Sequence, residues 1–96
     1  MKFEIAPKET EIQANWDDAR LYCFSLNIKG KTGWRLPTKE ELNEIYESDN
    51  DFQKSYYWSS TELTGNSAWN QNFHLGFQSN SVKNGNYCVR AIRSTV

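Results

Sequence analysis

The stretch Gly33-Trp34-Arg35-Leu36-Pro37-Thr38, followed directly by Lys39-Glu40-Glu41-Leu42, allows the backbone few paths. Gly33 admits a backbone angle that other residues resist. Pro37 holds Leu36 extended, because the proline ring clashes with a helical residue before it. Thr38 then caps a helix, and Glu41 three positions on completes a capping box that satisfies orphan backbone donors. A tight turn, an extended apolar–basic–apolar triplet and a helix start follow one another without a gap. Arg35, between two apolar neighbours, is expected to pair with an acidic group or a backbone carbonyl.

Outwards from this junction the chain reads as follows. Phe3 and Ile5 alternate with polar residues, which predicts a short first strand before Pro7, with residues 8–14 as a connector. Asn15 is a good N-cap, and Asp17 and Asp18 sit where a helix dipole favours negative charge. Trp16, Ala19, Cys23 and Leu26 recur at steps of three and four, one face of a first helix that Gly30 or Gly33 should end. The second helix buries Leu42, Ile45 and Tyr46 and turns Glu40, Glu44 and Glu47 outward. The acidic run continues through Asp49 and Asp51 and reads as a solvated face and loop, since no EF-hand spacing supports a calcium site.

From Tyr56 the character changes to strand. Residues 56–61 are aromatic and β-favouring, and Gly65-Asn66-Ser67 supplies a turn. Trp69, Gln71, Phe73, Leu75 and Phe77 then face one way, and Asn70, Asn72, His74 and Gln78 the other. Asn84-Gly85 marks a hairpin turn, and residues 87–93 form the last strand. Two helices followed by an antiparallel meander make an α+β domain spanning residues 1–96.

Composition narrows the function classes. The net charge of −1 gives no electrostatic case for nucleic acid or an anionic membrane. No apolar run reaches the length of a membrane span, and the N-terminus lacks the apolar segment of a secretory signal. The aromatic fraction of 15% supplies large buried areas to a small core, so Trp34, Trp58 and Trp69 are expected mainly inside. Cys23 and Cys88 are too few for a disulfide framework and too far apart in sequence for a zinc knuckle; buried free thiols or one bridge remain open.

Taken in order, Trp16-Asp17-Asp18-Ala19-Arg20-Leu21-Tyr22-Cys23, Gly33-Trp34-Arg35-Leu36-Pro37-Thr38, Tyr57-Trp58-Ser59-Ser60-Thr61, Ala68-Trp69 and Tyr87-Cys88-Val89-Arg90 resemble a bacterial and phage domain family. That family is typified by the C-terminal domain of collagen-like adhesins. It is similar to the C-type-lectin-like fold, shared also with formylglycine-generating enzymes and phage variable receptor-binding proteins. The resemblance implies two helices packed on a small antiparallel sheet, paired terminal strands, and the first helix beside the last strand. It also implies a disulfide between Cys23 and Cys88. It does not extend to calcium-dependent sugar binding, because Trp69-Asn70-Gln71 carries an amide where a carboxylate ligand would stand. Nor does it extend to formylglycine generation, because Cys88 has no nearby cysteine partner.

No catalytic residue, metal or cofactor is therefore expected. His74, the only histidine, reads as a surface residue, and Ser59, Ser60 and Thr61 have no base to activate them. The amide-rich array of Asn66, Asn70, Asn72, His74, Gln78, Asn80, Asn84 and Asn86 is either a recognition surface or a solvated face. Trp69, together with Asn70, Asn72, His74 and Gln78 of this array, makes up the expected ligand contacts. The expected function is a lectin-like recognition module on a phage virion or cell surface, with a carbohydrate or protein ligand. A structural virion component contacting neighbouring virion proteins, and a fragment of a secreted adhesin, are the alternatives. Homo-oligomers fit any of the three.

Overall fold

In a computed structural model that describes residues 1–95, the chain forms two sheets and two helices. β1 (Phe3–Ile5) pairs antiparallel with β8 (Ile92–Ser94), and β3 (Trp34–Arg35) lies on the other side of β8. The paired ends of the chain thus make one three-stranded sheet, as expected. The second sheet has the order β2-β7-β4-β5-β6, from β2 (Ile12–Ala14), β7 (Tyr87–Val89), β4 (Tyr56–Glu62), β5 (Ser67–Asn72) and β6 (Gln78–Val82). This sheet is not purely antiparallel, because β4 and β7 run parallel at Tyr57 and Cys88. The architecture is α+β.

The junction forms as its residues dictate. Gly33 has φ +85°, and Thr38 and Glu41 bond reciprocally to cap α2 (Lys39–Tyr46). Arg35 forks onto Glu41 at 2.7 and 2.9 Å and also donates to the Leu36 carbonyl. Asn15 caps α1 (Trp16–Ser25) by accepting from the Asp18 N–H. This first helix stops at Ser25, well before either glycine. Leu26 is already extended, and Lys29 and Gly30, both at positive φ, close a tight turn between Ile28 and Lys31.

Three readings of the strands need correction. Residues 8–14 are not a mere connector: after one 3-10 turn, Ile12–Ala14 pairs with β7. The segment expected to run straight from 87 to 93 breaks at Arg90 and Ala91, so β7 and β8 serve different sheets. β6 and β7 are not neighbours either, so Asn84-Gly85 turns a crossing connection rather than a hairpin.

The alternation of side chains along β7 decides the cysteines. Tyr87 and Val89 point to a core beneath α1, built on Trp16, Cys23, Trp34, Leu36 and Trp58. Cys88, between them, points the opposite way, into a second core with Leu42, Ile45, Tyr57, Phe73 and Ile92. Successive strand residues face opposite sides, so the sheet itself separates the two thiols. The expected disulfide is absent: Cys23 and Cys88 are free and buried. Burial pushes the Cys23 thiol up to about 12 and raises Cys88 as well, so both stay neutral and serve packing.

Candidate functional site

The period-two run from Trp69 to Gln78 is two strands and a turn. β5 ends at Asn72, and the chain reverses through residues 73–76 before β6 begins. Asn72 explains the reversal: its side-chain oxygen accepts from the N–H groups of His74 and Leu75. Gly76, at φ +93°, lies where any Cβ would meet the Tyr46 ring at 2.7 Å. The five expected ligand contacts are therefore not one surface. Asn70 is fully buried and donates to Ser81; Asn72 is buried in its turn. They do not point away from the core, because β5 is covered on both faces.

Trp69 is half-buried, with the Lys39 ammonium 4.1 Å over its ring. Gln78 is also half-buried and donates to the Lys39 carbonyl and to Gln71. His74 is exposed in the turn, as a surface residue. Gln71, expected on an apolar side, is fully buried and bonds Asn43 and the Gly76 carbonyl. These amides hold the hairpin to α2; they are fastenings.

Part of the array does come together elsewhere. Asn66 and Asn84 line a polar trough of about 610 Å³ with Asn15, Asp17, Asp18 and Lys83. Lys83 is fixed there, 2.7 Å from Glu62 and 4.1 Å over the Trp16 ring.

The most open apolar feature is on α1. Leu21 and Phe24 are 67% and 82% exposed, although both are large and hydrophobic. They flank a cleft of about 510 Å³ whose lining includes Trp34 and Leu36, with Asp17, Arg20 and Arg35 also bordering it. The capped junction builds one wall. Pro37 and the β3–β8 pairing hold Trp34 and Leu36 in place, and the Trp34 indole donates to the Lys31 carbonyl. Arg35 is immobilised by Glu41, whose bonds raise the guanidinium further above its ordinary range. The arrangement can accept an apolar group and meet polar atoms at its rim. A signal for it was present in the sequence: Leu21 and Phe24 are apolar residues off the Trp16–Ala19–Cys23 stripe.

The Lcl C-terminal domain model matches residues 4–93, which takes in both sheets, both helices and the cleft. The chain belongs to the Lcl C-terminal domain family. A comparison with curated proteins found no match. Membership of the Lcl family supports a binding or adhesion-type module. None of the helices among the described residues is long and apolar enough to cross a membrane.

Proposed function

We propose that this Lcl domain is a non-catalytic recognition module whose main contact surface is the cleft beside α1. The observation that carries the reading is Phe24, 82% exposed at the lip of an apolar cleft. Exposed aromatic side chains beside a pocket are what protein interfaces bury at their centres. The ligand class is a protein on a cell surface or virion, offering an apolar side chain to Trp34 and Leu36 and polar groups to Arg20 and Arg35. Display on a phage particle belongs to the same proposal; a lectin-like mode of attachment belongs to the second reading.

A glycan ligand is the second reading, favoured by the amide-lined trough at Asn66, Asn84 and Lys83. Amides both donate and accept, which suits hydroxyl-rich ligands. The two separate by experiment. Labelled domain is applied to a panel of intact bacterial cells and to a glycan array. The Leu21→Ser/Phe24→Ser variant should lose at least about tenfold in cell binding. Its thermal unfolding should stay near that of the parent, because both side chains are already in water. Full binding by the folded double variant overturns the cleft. Loss in Asn66→Ala/Asn84→Ala instead, with a glycan-array signal, selects the trough.

A further inference from the structure

Of the four strands at sheet edges, three are blunted. β1 has three residues and centres on Glu4, which bonds Arg93 and Lys31. β3 has two residues and runs into Pro37. β2 has three, and its Ala14 carbonyl is taken by the Trp58 indole. β6 is different: five residues, Gln-Ser-Asn-Ser-Val, with no charge and no proline. Short length, charge and proline are the means by which proteins keep an edge from pairing with another chain. β6 lacks all three.

The register shows which of its backbone groups are outward. Asn72 N–H bonds the Phe77 carbonyl, and Lys83 N–H bonds the Asn66 carbonyl, at the two ends of the β5–β6 ladder. Between them the antiparallel alternation turns Ser79 and Ser81 towards β5. The amide groups of Gln78, Asn80 and Val82 therefore point out of the sheet. Among these groups, the Val82 carbonyl accepts from the Gly85 N–H and so marks the end of the open segment.

We infer that β6 is a strand-pairing surface and that its partner is a second copy of this chain. The sequence of β6 is self-complementary about Asn80. An antiparallel pair on a two-fold axis there sets Asn80 against Asn80, Ser79 against Ser81 and Gln78 against Val82. Facing amides can each donate and accept, and no like charges meet. The exposed Val82 side chain is covered by the partner's Gln78 stem. A two-fold joint uses the same edge on both copies, so it closes and does not propagate into a fibre. Five residues a side make a small interface, below about 1,200 Å², so the dimer is weak and concentration-dependent. On a crowded surface it would link two recognition sites and raise avidity.

Sedimentation velocity from about 10 μM to about 1 mM tests this, together with amide hydrogen exchange. The parent chain should shift from monomer to dimer, and the Asn80 and Val82 N–H groups should exchange more slowly as concentration rises. Asn80→Lys sets two ammonium groups face to face, and Asn80→Pro removes an outward N–H that no neighbour uses. Both should weaken association at least tenfold with an unchanged melting curve. If the proline variant misfolds, the lysine variant decides, since Asn80 is exposed. A parent that stays monomeric at the highest concentration overturns the proposal. So does a dimer that survives both changes, or one that Phe24→Ser abolishes instead.

Discussion

The half of the molecule under α1 and the half under α2 are finished in opposite ways. Beneath α1 the core is rich in indoles, and each of three buried tryptophans spends its N–H on a backbone carbonyl: Trp16 on Ser59, Trp34 on Lys31, Trp58 on Ala14. Beneath α2 a smaller aromatic cluster of Phe52, Tyr57 and Phe73 is bounded by side-chain bonding. Arg90, 3% exposed, reaches Glu11, Asp51 and the Ala6 carbonyl, and Tyr57 donates to Glu11. The outer faces reverse the contrast. α2 shows Glu40, Glu44 and Glu47 to solvent, whereas α1 shows Leu21 and Phe24. α2 shows how this chain completes a helix face that meets only water. The outer side of α1, with Leu21 and Phe24 in water, contributes little to folding, and under the proposed function a partner covers it.

The largest effect should come from the polar side of that contrast. Arg90→Met keeps the bulk over Phe52 but leaves Glu11, itself almost wholly buried, without its cation. Removing one member of a buried pair costs about 3–5 kcal/mol, enough to unfold a marginal domain. Urea unfolding would measure it. A loss under about 1 kcal/mol would mean that the α2 half does not depend on its buried ion pair.

A smaller, pH-dependent effect is expected at Glu41, where the two halves meet through Arg35 and Ser94. The Arg35 bonds hold the Glu41 carboxyl below its usual range. A carboxylate with a depressed folded value stabilises the fold above its unfolded value, about 4.3, and loses that contribution as pH falls through the folded value. Glu41→Gln should preserve capping at Thr38 but weaken the Arg35 fork, costing about 1–2 kcal/mol at neutral pH. Its stability should also fall less steeply below about pH 4 than that of the parent. Parallel acid-unfolding curves would show that the fork contributes nothing.

The smallest effect sharpens the comparison most. Glu44→Gln on the solvent face of α2 should change stability by less than about 0.5 kcal/mol and leave cell binding intact. The Leu21→Ser/Phe24→Ser variant should match it in stability and differ only in binding. Equal behaviour in both assays would erase the functional distinction between the helix faces.

Local chemistry was legible in the sequence and crossing paths were not. Gly33, Pro37, Thr38 and Glu41 act on their immediate neighbours, and the structure at 33–42 follows from them. Asn15 did the same for α1. The strand at 12–14 carries no such signal, because its pairing with β7 joins residues far apart in sequence. The alternation from Trp69 to Gln78 misled for a physical reason: amides that bond within the fold, as Asn70 does to Ser81 and Gln71 to Asn43, look polar in a sequence yet pack like core. Asn72 is a turn-former, and its turn also needs Gly76, which donates to the Asn72 carbonyl and leaves room for the Tyr46 ring. The cysteine pairing failed on a single residue of parity. Placing Cys88 one position earlier or later would have turned it towards the face where Cys23 lies.

The pairing of β1 with β8 has a mechanical consequence. Anything joined before Phe3 or after Ser94 leaves from one pole of the domain. A load applied between the two flanks would peel the pairs Phe3–Ser94, Glu4–Arg93 and Ile5–Ile92 in turn. Under the proposed binding mode the load takes another path. Tension between a ligand held at Trp34 and a tether at Ser94 runs through the two-residue β3–β8 contact, the Arg35–Ser94 bond and Arg93 on the Thr32 carbonyl. The five-stranded sheet stays outside that path, as an unstressed body carried by its anchor.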